Sequence, residues 1–411
     1  MRVAVFHNLL SGGAKRALYG FVQCLNQRGH TVDAYLPDTA EERYLPLAGV
    51  TQRCEIFSFR RTLIGSLLST VRYVPPITVS LADLETTHRR IAAAIDANKY
   101  DVVLVEQDQF VMSPFVLRFL TTPTVYYCQQ PFRLDGGVPP TAQNRDAQGV
   151  RKLWVKYFRN RVMPAIDRQN ARCASSILAN SYFSRDMIAA AYGRDACVCY
   201  LGVDVDVFHP LGLPREHFVL SVGSVTPNKG YDFLLRSLGL VDARNRPRLM
   251  LIANFVDPEW KRYLEQLASR HRVQLGIRTL VSETELVLQY NRAALFLYAP
   301  HLEPFGLAPL EAMACGTPVV AVAEGGVRES VRDGRGGVLT DRDEQQFAAV
   351  MSGLLNDDVQ RTALGASGVD TVRESWTLTG AGERIAQHLQ RASETPPSGN
   401  SSYLHSTPTS S

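Results

Sequence analysis

Glu303 and Glu311 are the carboxylates whose surroundings most suggest chemistry. They are separated by seven residues in the run Glu303-Pro-Phe-Gly-Leu-Ala-Pro-Leu-Glu311, which follows an apolar segment and continues into Ala312-Met-Ala-Cys-Gly316-Thr-Pro318. Pro309 suits a first helical position, and Gly316 followed by Pro318 stops a helix. Glu311 is therefore expected in the first turn of a short helix, with Glu303 in the loop before it. The amides of Phe305, Gly306 and Leu307 then lie at the helix start, where free N–H groups and the positive end of the dipole favour a phosphate. A diphosphate can be gripped there without a metal. An isolated pair of glutamates usually does less, one complementing a helix dipole and the other sitting solvated in a loop, so the neighbours decide. Upstream, Gly223-Ser224-Val-Thr-Pro-Asn-Lys229-Gly230 also follows an apolar segment and sets Lys229 just before a helix. Near the N-terminus, Ser11-Gly12-Gly13 falls between a first strand and a first helix, where the missing Cβ lets backbone approach a ligand. Its spacing is not G-x-G-x-x-G, which disfavours a nicotinamide enzyme.

Such residues need strand ends to carry them. Short runs of Val, Ile and Leu alternate with segments of helical period, the pattern of buried parallel strands joined by crossover helices. Strands are expected over residues 3–7, 31–36, 101–105, 124–128, 176–179 and 198–201, and again over 218–223, 248–253, 294–298, 318–322 and 337–339. The chain thus divides into a first doubly wound domain at 1–205, a linker at 206–217 and a second domain at 218–374. A helix at 375–392 returns to the first domain, and a Ser/Thr/Pro/Gly-rich tail at 393–411 is expected to be disordered. Two such sheets facing each other put the carboxyl ends of their strands around one cleft, where open parallel sheets bind ligands.

Composition narrows the classes. With 411 residues, 45% of them hydrophobic, the chain can bury two cores. A net charge of +4, from 44 basic and 40 acidic residues, does not point to nucleic acid. Seven cysteines without paired spacing suggest neither a disulfide framework nor a zinc site, and fit a reducing compartment. No Asp-x-Asp pair is read at a strand end, so no metal site is expected. The apolar start is interrupted by His7 and Asn8 and reads as a strand, not a signal peptide, and no run approaches the roughly 20 residues that cross a bilayer.

The run from Glu303 to Glu311 resembles the E-x-x-x-x-x-x-x-E signature of the retaining glycosyltransferases of family four, and the likeness extends over nearly the whole chain up to the last helix. The resemblance implies an α/β fold of the GT-B type: two facing Rossmann-like doubly wound domains with the active site between them. It implies that Glu303 contacts donor sugar hydroxyls and Glu311 the ribose. The segment from Gly223 to Gly230 looks like the family's G-R-L…K-G phosphate loop, in which Lys229 neutralises the donor diphosphate as charge moves onto the leaving group. Ser224 stands where the family carries arginine, which removes one fixed positive charge. Gly12 and Gly13 resemble the glycine-rich loop near the donor phosphates and acceptor. Gln129 replaces a histidine common in similar sequences; Gln can donate and accept hydrogen bonds but cannot take a proton, so it would orient the sugar. Asn180 or Ser181 reads as a helix N-cap.

The implied function is a retaining, metal-independent hexosyltransferase. It would move a sugar from a UDP- or GDP-sugar to a glycan or lipid-linked acceptor, with Lys229 and Glu303 as its catalytic residues and no cofactor. The donor phosphate would accept the acceptor's proton. The runner-up is a catalytically silent GT-B protein that binds a nucleotide sugar or a partner, suggested by Ser224. An epimerase or a phosphorylase would need acid–base groups or a cofactor lysine that are not found. A basic, aromatic stretch around Trp154, Tyr157 and Phe158, with Arg60, Arg61 and Arg72, is explained most simply by apolar residues packing on the sheet while the charges face water. The sharper expectation is a cytoplasmic protein whose basic face touches an anionic membrane.

Overall fold

The computed structural model describes residues 1–59, 70–72, 78–132, 157–332 and 334–394. Most of the basic stretch, Arg60 and Arg61, and nearly all of the Ser/Thr/Pro/Gly-rich tail lie outside these residues. So does the Arg72 side chain.

The first unit contains strands β1 (Arg2–Asn8), β2 (Thr31–Pro37), β3 (Arg53–Phe57), a hairpin of β4 (Thr70–Arg72) and β5 (Thr78–Ser80), then β6 (Val102–Asp108), β7 (Thr124–Cys128), β8 (Ser176–Ala179) and β9 (Cys197–Val198). Seven of these form one sheet in the order β3-β2-β1-β6-β7-β8-β9, parallel throughout. Its strands are near-continuous apolar runs because helices cover both faces. The second unit holds β10 (Glu216–Val222), β11 (Arg248–Ala253), β12 (Leu275–Thr279), β13 (Ala293–Tyr298), β14 (Val319–Val322) and β15 (Gly337–Thr340). They form a parallel sheet in the order β12-β11-β10-β13-β14-β15.

The expected strands are present, with two informative differences. β3, β12 and the β4–β5 hairpin were not expected; β3 and β12 are edge strands of mixed polarity, Arg-Cys-Glu-Ile-Phe and Leu-Gly-Ile-Arg-Thr, each exposed at two positions. An edge strand has one half-covered face and shows no apolar run. The strand expected over 198–201 stops at Val198, because Tyr200 turns out of the sheet to pack on Trp376 and Phe305 with ring centroids 5.0 and 6.1 Å away.

The chain passes between the units twice at one place. The Val203 amide donates to the Trp376 carbonyl, and the Leu378 amide to the Val203 carbonyl, both at 2.8 Å. The last helix, Leu378–Glu394, then lies against α1 (Gly13–Gln27) of the first unit. Its close approach depends on Gly382, where a Cβ would stand 2.3 Å from the Cys24 Cβ. All seven cysteines are free thiols. Among the described residues no helix is long and apolar enough to cross a membrane.

Gly382→Val forces these helices apart and is expected to lower stability by about 1–3 kcal/mol, as overpacking does. Gly353→Ala, in a helix with open space around the added methyl, should instead raise it by about 0.5–1 kcal/mol. Urea unfolding midpoints of the two variants separate these outcomes.

Candidate active site

β10 and β13 are hydrogen-bonded neighbours in the second sheet, so the loops at their carboxyl ends run side by side. The His301 amide donates to the Asn228 carbonyl at 2.8 Å and ties the two loops together. As a result Lys229 and Glu303 meet: the Lys229 Nζ lies 2.9 and 2.8 Å from the two Glu303 carboxylate oxygens. Their side chains are 19% and 24% exposed, which leaves the pair open to the cleft. An anion entering there competes with Glu303 for the ammonium.

Loop 303–306 has a rigid backing that the sequence reading missed. The Gly326 amide donates to the Glu303 carbonyl at 2.9 Å, and a Cβ on Gly326 would fall 2.0 Å from the Pro304 carbonyl oxygen. Leu302, directly before the loop, holds a left-handed backbone with φ of 49°, a conformation costly for a leucine and typical of sites where surrounding structure dictates the chain path.

The helix after this loop is Leu307–Ala314, with Gly306 as N-cap and no capping side chain. It begins two residues earlier than expected. Pro309 is its third residue, a position whose N–H has no helical partner, and Glu311 consequently lies in the second turn. Only 5% of Glu311 is exposed. Its Oε2 accepts from the Tyr290 hydroxyl at 2.7 Å, and its Oε1 faces Arg16 Nε at 3.5 Å. Burial pushes this carboxyl up, opposed by Arg16 and the Tyr290 hydrogen bond. Phe305 is 2% exposed and packs on Trp376, so its backbone, not its ring, can serve the loop. The Ser224 hydroxyl lies 3.1 Å from that of Thr226.

The first domain contributes from its own strand ends. Gly12 and Gly13 begin α1, and a Cβ at either would meet nothing within 4 Å. The turn before them is stiffened by a buried cluster in which Lys15 pairs with Glu42 and lies 2.9 Å from His7 Nε2. Burial holds His7 down at about 4, and its Nδ1 accepts from the Leu9 amide.

Gln129 is 7% exposed and its amide is engaged on both sides. The Pro304 carbonyl can only accept, so the Ser181 hydroxyl donates to it at 2.6 Å. The Ser184 hydroxyl donates to Asn180 Oδ1 at 2.7 Å, which leaves Asn180 Nδ2 to donate to Gln129 Oε1 at 3.1 Å. Gln129 Nε2 then points at Glu106, 3.5 Å from each oxygen. Glu106 is fully buried, and burial pushes its carboxyl up to about 8. Ser181, not Asn180, is the N-cap of helix Tyr182–Tyr192. The first amides of that helix are capped from the other domain: Glu329 accepts from the Tyr182 and Phe183 amides at 2.9 Å and from the Tyr200 hydroxyl at 2.8 Å. Arg16, Glu106, Ser184 and Glu329 all escaped the sequence reading. The first had a signal, since two cations and no acid in the first turn of α1 run against the helix dipole.

Comparison with known proteins places this geometry. Residues 11–207 match the family described as Glycosyltransferase Family 4, and residues 208–369 match Glycosyl transferases group 1. Curated relatives include D-inositol 3-phosphate glycosyltransferases of Thermobispora bispora, 35% identical over 49% of this chain and 52% of the relative, and of Thermomonospora curvata, 35% identical over 50% and 55%. The chain thus spans about half the length of the curated relatives it matches. Among solved structures, sucrose-phosphate synthase of Thermosynechococcus elongatus superposes with a TM-score of 0.72 at 17% identity, covering 95% of this chain and 98% of the other. Anabaena HepE in complex with UDP and glucose gives 0.69 at 19%, covering 95% and 99%. These neighbours share the GT-B arrangement of two Rossmann-like domains.

Two outcomes are expected from the N-terminal network. Glu329→Ala removes a charged acceptor from three donors across the interface, and should cost about 1–3 kcal/mol and raise the radius of gyration in small-angle scattering, with secondary structure unchanged by circular dichroism. Glu106 is raised, so the folded chain holds its proton where the unfolded chain does not; the stability this gives is present at low pH and lost as pH rises toward about 8. Glu106→Gln should therefore match the parent in urea unfolding near pH 4 and exceed it increasingly by about pH 9.

Proposed function

We propose, on the premise that this chain belongs to glycosyltransferase family four, that it transfers a hexose-type sugar from a nucleoside diphosphate sugar to a glycan or lipid-linked acceptor, with retention of configuration and without a metal. The observation that carries this reading is the Lys229–Glu303 pair, open to the cleft beside a helix start and held at adjoining strand ends. A donor diphosphate takes the place of Glu303 on the Lys229 ammonium, and the freed carboxylate accepts hydroxyls of the sugar. Negative charge that builds on the diphosphate oxygen as its bond to the anomeric carbon breaks is met by Lys229 and by the amides of loop 303–307. The acceptor oxygen bonds to that carbon from the same face, and its proton passes to the departing phosphate. Ribose hydroxyls donate to Glu311. The HepE complexes with UDP and with UDP-glucose favour a uridine carrier over guanosine.

The curated relatives favour a second reading of the acceptor, a phosphorylated inositol. A phosphate-bearing acceptor requires a second anion site, so the two readings separate by assay.

The test is turnover and binding with UDP- and GDP-sugars, with inositol phosphate among the acceptors. Lys229→Ala and Glu303→Ala should each lower turnover by about 100-fold or more, the usual cost of losing one group that meets developing charge, and a chelator should leave the parent's rate unchanged. The anomeric configuration of the product, read by NMR, checks retention. Binding without turnover on any acceptor would favour the silent binder, and no binding of either nucleotide would end the assignment.

A further inference from the structure

We propose that Arg16 is a donor-positioning residue: reaching across the cleft from the first domain, it fixes the charge and the aim of Glu311, so that ribose recognition requires the two domains to be together. The inference rests on the donor reading above, in which Glu311 accepts the ribose hydroxyls.

Arg16 occupies the first turn of α1, where its amide bonds to the Gly12 carbonyl at 3.0 Å. A cation there opposes the helix dipole. Of the two that the sequence keeps in this turn, Lys15 is satisfied within its own domain by Glu42, whereas Arg16 leaves its domain. Its Nη1 pairs with Glu283 and its Nε faces Glu311 at 3.5 Å, both carboxylates of the second domain. The guanidinium lies 5.2 Å from the ring centre of Phe208, in the connection between the domains, and 5.9 Å from that of Tyr44. Its side chain is 18% exposed. A guanidinium enclosed by two rings and two carboxylates has little freedom to swing.

Glu311 shows what this geometry does. Arg16 faces one oxygen and the Tyr290 hydroxyl holds the other, which sets the plane of the carboxylate. The charged and titratable groups around it are Arg16, Tyr290, Glu283, Tyr44 and, at the C-cap of its own helix, Cys315. Burial pushes the Glu311 carboxyl up, and Arg16 is the strongest opposing influence; Glu283 adds to the rise. Without the guanidinium, burial and Glu283 act with only the Tyr290 hydrogen bond against them, and the carboxyl holds a proton to higher pH than it does beside Arg16. A protonated carboxyl is a poorer acceptor for two hydroxyls.

The experiment is calorimetric binding of UDP and of GDP to the full chain between about pH 6 and about pH 8.5, each variant read as a ratio to the parent at the same pH. For Arg16→Ala that ratio should worsen by about tenfold from the alkaline to the acid end, the effect of displacing a carboxyl by one unit across this range. Arg16→Lys should keep the ratio flat. In the Arg16→Ala/Glu311→Gln pair the losses should not add, because Arg16 acts through a carboxyl that is no longer there. If Arg16→Ala fails to fold, Arg16→Gln keeps the stem between the rings and yields the same readings. A loss that is equal at every pH and additive with Glu311→Gln overturns the coupling while leaving the donor site intact. Binding of neither nucleotide by the parent overturns the donor reading itself, and the role of Arg16 with it.

Discussion

A charge taken out of water needs a counter-charge, and the cleft of this protein is arranged around that requirement. Lys229 and Arg16 approach it from different domains. Each is met by carboxylates from distant parts of the chain: Lys229 by Glu303, Arg16 by Glu283 and Glu311. Meeting these partners fixes the loops that carry them. The β10 and β13 loops must run together, which the His301–Asn228 bond secures, and α1 must start where Gly12 places it. In the proposed reaction an incoming diphosphate exchanges one anion for another at Lys229, so the ammonium is at no stage left without a partner while its environment changes.

Contacts across the interface follow a second rule, that buried donors and acceptors must match in direction. The Ser181 hydroxyl donates to the Pro304 carbonyl and also accepts from the Ser184 amide, and from the Ser184 hydroxyl hydrogen bonds continue through Asn180 and Gln129 to Glu106. These bonds tie the backbone of the Glu303 loop to the centre of the other domain's sheet. Glu329 makes a similar tie in reverse, from the second domain to the first amides of helix Tyr182–Tyr192. A rotation of the domains about the paired crossing at Val203 and Trp376 therefore disturbs the Pro304 and Glu329 ties together.

Much of this was legible in the sequence and some was not, for physical reasons. Buried strands announce themselves as apolar runs, so the doubly wound pattern and the restart at residue 218 could be read directly. The edge strands Arg53–Phe57 and Leu275–Thr279 could not, since half-exposed strands lack that run. Lys229, Glu303 and Glu311 were singled out by glycine, proline and carboxylate spacing together with the resemblance to family four, yet nothing there says that Lys229 and Glu303 touch, which depends on the strand order. Pro309 misled by two residues because a proline is tolerated anywhere in a helix's first turn. Asn180, Gln129 and Glu106 are neutral or acidic residues at unrelated places in the chain, and only the sheet brings them into line.

Several of these features are locally unfavourable, and their grouping is informative. Cations open α1, Leu302 holds a left-handed backbone, and Glu311 and Glu106 are carboxyls with little or no access to water. A sequence selected for stability alone would remove each of them. Arg16, the leading cation at the cleft, finds both of its carboxylates in the opposite domain. For Arg16 the compensation is thus made in the assembled cleft, whereas Lys15, Lys229 and Glu106 find partners within their own domain. Arg16 is satisfied only against the other domain, which ties its charge to the assembled arrangement of the two.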